Sequence, residues 1–227
     1  RIGWDFNWAT KEGMQRGLYP EFEFKILENL PDGSQRVQNR VGLIERIKPG
    51  IDSIPSEDDY QLKDREAFET IYKPKMQYMP ERIDFEFYKH FNETRLPDRP
   101  VGLEIGSVLG DIRNMTSVVG MSYLIYDEDE ELFADIVDTY ADMQYKCVEA
   151  VLGTGAKFDF AHFWEDICFK NGPLIAPALF EGLCAKHYKK RTALCRKYGI
   201  DIISLDCDGV VESLLPIWFE NGDGRAH

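Results

Sequence analysis

The sequence lacks an apolar run of the roughly 20 residues that a membrane-spanning helix requires, and no apolar secretory segment opens it. A surplus of positive charge is also missing, because 27 Lys and Arg residues stand against 40 Asp and Glu residues, for a formal net charge of −13. Nucleic acids are bound through clustered Lys and Arg, so this charge argues against a nucleic-acid-binding protein. We therefore expect a cytoplasmic protein that binds neither membranes nor nucleic acids.

Cysteine is scarce: the five cysteines are scattered, and none belongs to a Cys-x-x-Cys motif. An odd number of scattered cysteines indicates buried thiols in a reducing compartment rather than a disulfide framework. Internal repeats and low-complexity segments are absent as well. The composition that remains, 44% hydrophobic and 30% charged residues in a chain of 227, is typical of a globular protein with a sizeable core.

The stretch over residues 157–222 alternates between apolar strands and helices. Strands are predicted over residues 158–163 and 200–205, and each is followed by an acidic loop. Helices are predicted over residues 177–198 and 214–219. Apolar strands that alternate with helices of this length indicate parallel strands joined by crossover helices.

Ahead of this stretch the sequence predicts a hairpin, a loop, three helices and one buried strand. The hairpin is centred on Pro31-Asp32-Gly33-Ser34, whose residue types favour a tight turn. Apolar periodicity, Pro breaks and Asp caps define the other elements. The expected ranges are 21–30 and 35–47 for the hairpin strands, 51–60 for the loop, 65–72, 81–92 and 127–151 for the helices, and 101–106 for the buried strand.

Four carboxylates follow the two later strands: Glu165 and Asp166 after the first, Asp206 and Asp208 after the second. Barrels and open α/β sheets place their sites at the carboxyl ends of parallel strands, so we expect these side chains to converge there. Converging carboxylates raise a pKa or bind a cation, which supports acid–base or metal-assisted catalysis. We predict them as catalytic residues. The alternative is structural: Asp166 and Asp208 cap helices, and Asp206 pairs with a Lys or Arg.

Five further residues near these strand ends are predicted to contact a substrate, each with a structural alternative. His162 is equally well explained as a packed, hydrogen-bonded histidine. Gly106 and Ser107 lie in a loop whose glycines let backbone approach a ligand, or they form a tight strand-to-helix turn. Lys170 binds an anion or is a solvated surface lysine. Cys207 lies between two carboxylates that raise its pKa, which makes it a poor nucleophile.

Two segments of the sequence carry a resemblance to a known family. The first, Trp164-Glu165-Asp166-Ile167-Cys168-Phe169-Lys170-Asn171-Gly172-Pro173-Leu174-Ile175-Ala176-Pro177, resembles the third-strand region of the uroporphyrinogen decarboxylase superfamily. The second is Asp206-Cys207-Asp208-Gly209, followed by Leu214-Leu215-Pro216 and Glu220-Asn221-Gly222. That superfamily also contains the methylcobamide:coenzyme M methyltransferases. The resemblance is specific for the superfamily and does not choose among its activities.

The resemblance implies an α/β fold, a TIM-type (β/α)8 barrel. Such a barrel takes about 250 residues, and only three parallel-type strands are predicted here, so we expect an incomplete barrel. Residues 1–98 would form an N-terminal extension with a β-hairpin and helices, and residues 99–227 the N-terminal part of the barrel, together one domain. A homodimer, or segments that are missing here, would complete the barrel and cover its open edge.

The resemblance further implies an enzyme, either a methyltransferase or a carboxy-lyase. We favour methyl transfer that involves a corrinoid or a methylated small molecule, with a corrinoid protein as partner. Two alternatives stay open: decarboxylation of a uroporphyrinogen-like tetrapyrrole, and a non-catalytic corrinoid- or tetrapyrrole-binding protein. An authentic uroporphyrinogen decarboxylase is disfavoured, because the family's Arg-Gln-Ala-Gly-Arg element is absent and an acidic rim would repel an octa-acid.

A thiolate zinc site is not carried over from the zinc-dependent methyltransferases of the superfamily. Those enzymes bind the metal through a His-x-Cys-Gly element, and the matching element here reads Asp206-Cys207-Asp208-Gly209. Asp206 replaces the His, Asp208 replaces the ligand Cys, and Cys207 falls on the spacer. We assign no metal ligands and leave the cofactor open, with a corrinoid as one candidate and an oxygen-rich metal site as another.

Overall fold

The computed structural model describes residues 12–51, 54–96, 98–127, 129 and 131–221. These residues divide into two compact units, which we describe separately. In its described part, the parallel-sheet unit comprises residues 12–16, 77–110 and 137–221, and the antiparallel-sheet unit comprises the described residues of 17–76 and 111–136.

The antiparallel-sheet unit contains a four-stranded sheet in the order β1 (Lys25–Asn29), β2 (Gln35–Gln38), β3 (Ile44–Ile47), β4 (Ser56–Asp59). The predicted hairpin is thus the first half of a meander. Its expected return strand is broken because the Asn39 side chain accepts N–H bonds from Val41 and Leu43, and Gly42 turns the chain with φ of +87°. β4 lies where the sequence predicted a loop.

The helical part of the antiparallel-sheet unit begins at α1 (Arg65–Ala67), which Asp64 caps by accepting the Ala67 N–H at 2.8 Å. A π turn and a 3-10 turn continue it to Met76. The longer α3 (Gly110–Ile125), of which all but the first residue belongs to this unit, is interrupted at Ser117, where φ is +63°.

The parallel-sheet unit contains three parallel strands in the order β5 (Gly102–Gly106), β6 (Phe160–Trp164), β9 (Ile202–Asp206). The predicted parallel strands are therefore confirmed, with bounds shifted by one or two residues. The crossover helix after Pro177 also forms as expected. The elements are α2 (Phe85–Thr94), β5 (Gly102–Gly106), α4 (Leu132–Gly153, from residue 137), β6 (Phe160–Trp164), the short hairpin β7 (Cys168–Phe169) and β8 (Gly172–Pro173), α5 (Pro177–Lys197), β9 (Ile202–Asp206) and α6 (Leu215–Asn221).

The expected (β/α)8 barrel is wrong, and the fold is mixed α/β. A barrel closes only when every strand is hydrogen-bonded on both sides. In the described residues the parallel sheet has three strands, and only the middle one, β6, is paired on both sides. The other long strands form the separate antiparallel sheet. No observation tests the expected boundary at residue 98, which stays a prediction.

The two faces of the parallel sheet differ sharply in chemistry, because successive side chains of a strand alternate between faces. One face is apolar core, formed by Leu103 and Ile105 of β5 and by Ala161 and Phe163 of β6, all of them buried. The opposite face carries Glu104, His162 and Ser204. Within the three strands, polar side chains are thus confined to one face, which we call the open face.

The helices α4 and α5 are joined by a charged cluster at Asp138. Its carboxylate accepts hydrogen bonds from Lys186 Nζ and His187 Nε2, both at 2.8 Å. Burial raises the pKa of Asp138, but these two partners lower it by more, so the pKa lies below its ordinary value. Burial also lowers the pKa of His187, and the contact with Asp138 only partly offsets this.

We expect the parallel-sheet unit to lose stability in two steps as the pH falls. His187 has a lowered pKa, so its contribution is complete above its ordinary pKa of about 6.5 and is lost as the pH falls through the folded-state value. The contribution of Asp138 is complete above about pH 3.9 and is lost below it. Urea unfolding followed by circular dichroism across this range measures both steps.

The variant His187→Gln isolates the first step, because the amide N–H can still donate to Asp138 but does not titrate. We expect it to lose the decline near pH 6 and to keep the decline at lower pH. His90→Gln is the matched control, since His90 is exposed and its ring Nδ1 is hydrogen-bonded to the exposed Glu93. The same decline near pH 6 in His187→Gln as in the wild type contradicts the assignment.

Candidate functional site

Three polar side chains lie side by side on the open face of the parallel sheet. Glu104 of β5 is the register partner of His162 of β6, which in turn is the register partner of Ser204 of β9. Register partners on neighbouring strands lie about 4.8 Å apart, and their side chains share a face. We call Glu104, His162 and Ser204 the polar row.

A hydrogen bond across β6 and β9 orients the histidine. His162 Nδ1 and Ser204 Oγ are 2.9 Å apart, and Ser204 Oγ also donates to the Ala161 carbonyl at 3.3 Å. When the hydroxyl proton is directed to that carbonyl, the hydroxyl oxygen can accept from His162 Nδ1–H. In that arrangement the neutral imidazole carries its proton on Nδ1, and Nε2 is its basic nitrogen.

The other end of the polar row is a paired carboxylate. Glu104 is only 6% exposed, and it forms an ion pair with the guanidinium of Arg16. A buried charge is tolerated when it is paired in this way. Within the row, His162 therefore lies between a carboxylate that is paired with Arg16 and a neutral hydroxyl.

The open face continues toward the carboxyl ends of the strands with Trp164 and Asp206, which are register partners on β6 and β9. Trp164 is half-buried, and Asp206 is exposed. This pair lies one row beyond His162 and Ser204. An aromatic ring and a carboxylate therefore border the polar row at the strand ends.

Glu165 lies on the core side and is fully buried. Its carboxylate accepts N–H bonds from Leu109 and Gly110, both at 3.0 Å, a bond from Val108 N–H, and the Ser107 hydroxyl at 3.1 Å. Gly110 is the first residue of α3. The carboxylate therefore fixes the turn that leads from β5 into that helix, as a carboxylate at a helix N-terminus does.

Two buried side chains of α5 surround Glu165. The Tyr188 hydroxyl lies beside the carboxylate, although outside strict hydrogen-bond geometry. Arg191 donates to the Ile105 carbonyl at 2.8 Å and lies over the Phe163 ring. Burial raises the pKa of Glu165, whereas Tyr188 and the three backbone N–H groups act to lower it.

The four predicted catalytic carboxylates are not gathered into one cluster. Glu165 faces the core, Asp206 and Asp208 are exposed, and Asp166 is half-buried with a φ of +21°. Within the described residues, no three His, Cys, Asp or Glu side chains are placed to hold a metal ion. No observation tests a catalytic role for these four, which stays a prediction.

Of the predicted substrate-contacting residues, only His162 belongs to the polar row. Gly106 has a φ of +90°, and a Cβ there would meet the Gln144 side chain at 2.8 Å, so the backbone conformation by itself explains a glycine. Ser107 bonds Glu165, and Lys170 is exposed. Cys207 is half-buried, and its Sγ accepts the Ile167 N–H at 3.4 Å. Their substrate contacts stay predictions.

The sequence reasoning missed Arg16, Glu104 and Ser204. A signal for two of them was present: Glu104 and Ser204 each interrupt an apolar strand two residues before its end, as His162 does. Aligning the three strands by their carboxyl ends would have placed these residues side by side. Arg16 carried no such signal, because its contact joins residues far apart in sequence.

Comparisons with known proteins give little beyond this geometry. No family model and no curated protein matches the chain. Among solved structures, a methyltransferase from Methanosarcina mazei is similar at 14% sequence identity and a TM-score of 0.48, over 80% of this chain and 51% of that one. The chain thus spans about half the length of that protein, and a likeness this slight carries no argument about reaction. Among the described residues, no helix is long and apolar enough to cross a membrane.

We expect Glu165→Gln to destabilise the chain by about 1–3 kcal/mol, because the amide replaces an acceptor oxygen with a donor that faces N–H groups. The midpoint of urea unfolding at neutral pH measures the change. Asp208→Asn is the matched control on an exposed carboxylate and should stay within about 0.5 kcal/mol of the wild type. Equal midpoints for Glu165→Gln and the wild type would show that the folded chain holds this carboxyl protonated.

Proposed function

We propose that the open face of the parallel sheet is the catalytic face of an enzyme that transfers a methyl group to or from a small molecule. The observation that carries the catalytic part is the hydrogen bond between His162 and Ser204, which orients the imidazole. The reaction class comes from the resemblance of residues 164–177 and 206–209 to the uroporphyrinogen decarboxylase superfamily. Substrate and partner are part of the proposal.

His162 is the proposed proton-transfer group. In methyl transfer from an oxygen, nitrogen or sulfur atom, the bond between the methyl carbon and that atom breaks, and the atom left behind needs a proton. Protonated His162 delivers it from Nε2, and in the reverse direction neutral Nε2 accepts it. An imidazole can both donate and accept a proton near neutral pH, which suits both directions.

Glu104, Arg16 and Ser204 are proposed as positioning residues. Ser204 holds His162 Nδ1, and the Glu104 carboxylate at the neighbouring register position favours the imidazolium form. Arg16 in turn compensates Glu104 when the histidine is neutral. Asp206 lies at the strand end, where it can orient a substrate beside Trp164.

The resemblance implies a corrinoid on a partner protein as the methyl carrier. When bound, a corrinoid supplies the metal centre that carries the methyl group. His162 and Ser204 are half-buried on a face that a partner can approach, and their part is limited to proton transfer and orientation. A thiolate zinc is not part of this proposal, because Asp206 and Asp208 stand at the positions of the His and Cys ligands of the zinc-dependent enzymes.

Decarboxylation of a tetrapyrrole is the weaker alternative, and no described contact favours it. The exposed carboxylates Asp206 and Asp208 at the strand ends would repel a polyacid. A non-catalytic protein would use the same face to bind its ligand, but His162 would transfer no proton. The test below therefore measures a rate, which separates catalysis from binding.

We expect His162→Gln to lower the rate of methyl transfer by about 10²–10⁴-fold, the usual contribution of a general acid or base. Ser204→Ala should lower it less and shift its pH dependence, because the imidazole loses its tautomer control. The assay follows the loss of cob(I)alamin absorbance with a panel of methylated amines, thiols and aryl ethers. Because cob(I)alamin is added without a partner protein, turnover in this assay also shows that the chain accepts a free corrinoid.

His90→Gln serves as the control, since that histidine is exposed on α2. Circular dichroism checks that every variant is folded. A wild-type rate in His162→Gln would contradict the role of the histidine. Absence of turnover with the whole panel would contradict methyl transfer to a free corrinoid.

A further inference from the structure

Two cysteines that the proposed reaction does not use meet beside the carboxyl ends of β6 and β9. Cys168 lies in β7 and is 7% exposed, and Cys207 follows the last residue of β9 and is half-buried. Both belong to the parallel-sheet unit. They come from segments that are distant in sequence, so the fold alone brings them together.

The backbone around Cys207 is packed directly on β7. Val210 N–H donates to the Phe169 carbonyl at 2.9 Å, and Ile167 N–H donates to Cys207 Sγ at 3.4 Å. A Cβ on Gly209 would lie 2.8 Å from the carbonyl carbon and oxygen of Cys168, so no side chain fits between the two segments. The loop after β9 is therefore held against the strand that carries Cys168.

The Cys207 sulfur lies 3.4 Å from the backbone nitrogen of Ile167, the residue immediately before Cys168, and each of the two thiols affects the pKa of the other. Neighbouring cysteines can form a disulfide when their sulfur atoms approach to bonding distance. The other cysteines differ: Cys147, Cys184 and Cys195 are fully buried in helices. Cys168 and Cys207 therefore combine a neighbouring thiol with access from solvent through the half-buried Cys207.

We propose that Cys168 and Cys207 form a reversible disulfide when a small-molecule disulfide such as oxidised glutathione is present. Cys207, the more exposed thiol, attacks first as a thiolate: its bond to one glutathione sulfur forms, the disulfide of glutathione breaks, and one glutathione leaves as a thiol. Cys168 then attacks the Cys207 sulfur and releases the second glutathione. Two thiols are oxidised, and one glutathione disulfide is reduced to two thiols.

The surroundings make this exchange slow at neutral pH. Burial raises the pKa of Cys168 to about 12, and the carboxylates of Asp166 and Glu212 add to the effect. Burial also raises the pKa of Cys207. Only the thiolate attacks, so the rate should rise about tenfold per pH unit in the range below the pKa of the attacking thiol.

The disulfide would tie the loop after β9 to the β7–β8 hairpin. Asp206 immediately precedes Cys207, and Trp164, its register partner, ends β6. Oxidation would therefore fix the strand ends that border the polar row. This inference does not depend on the reaction proposed for that row.

The test is disulfide mapping of the full chain in glutathione buffers. After incubation, free thiols are alkylated with a maleimide and the chain is digested with trypsin. Cys168 falls in the peptide of residues 158–170 and Cys207 in the peptide of residues 198–225. We expect these two peptides to be linked, two of the five cysteines to be lost to alkylation, and the intact chain to lose the mass of two hydrogen atoms.

Cys207→Ser and Cys168→Ser should each abolish the linkage, and the matched control Cys195→Ser should keep it. If Cys168→Ser does not fold, Cys207→Ser still decides, because its side chain is half-buried. The proposal is overturned if the peptides stay unlinked at every glutathione ratio. It is also overturned if linkage forms equally well in urea, since the folded arrangement would then contribute nothing.

Discussion

The parallel-sheet unit depends on one buried carboxylate, that of Glu165. Removing a charge from water costs several kcal/mol, and hydrogen bonds to the charged group must offset that cost. Here three backbone N–H groups and the Ser107 hydroxyl supply them. Because these donors belong to the turn after β5, the carboxylate fastens the end of β6 to the end of β5. These hydrogen bonds fix the turn into α3 and the strand ends that border the open face.

The face of the sheet on which Glu165 lies could have been predicted from the sequence. Side chains alternate along β6, so Glu165 shares the core face with Phe163, whereas Trp164 shares the open face with His162. Asp206 is the register partner of Trp164 and therefore faces away from Glu165. Strand alternation, together with the register between β6 and β9, separates two of the carboxylates that were expected to converge. What alternation does not supply is the register between strands, and register brings His162, Ser204 and Glu104 together.

Most helices and strands could be predicted from the sequence, whereas the sequence did not show whether the sheet closes into a barrel. The crossover helix after Pro177 follows from local signals and forms where expected. The break between β2 and β3 was also signalled, by the Asn39 and Gly42 pair that makes the turn. A barrel, by contrast, depends on hydrogen bonds between distant strands, which no local pattern encodes. The barrel expectation rested on the resemblance, and the described strands form three separate sheets.

The strand order of the parallel sheet also determines which of its strands unfolds locally at the lower free energy. β6 is hydrogen-bonded on both sides, whereas β9 is paired only with β6 in the described residues, and its Ile202 is 65% exposed. Edge strands open at a lower free energy than the strands they flank, so amide hydrogens of β9 should exchange with solvent before those of β6. Ser204 belongs to β9, and His162 belongs to β6. Local opening of the edge therefore frees the imidazole to change tautomer while the rest of the unit is still folded.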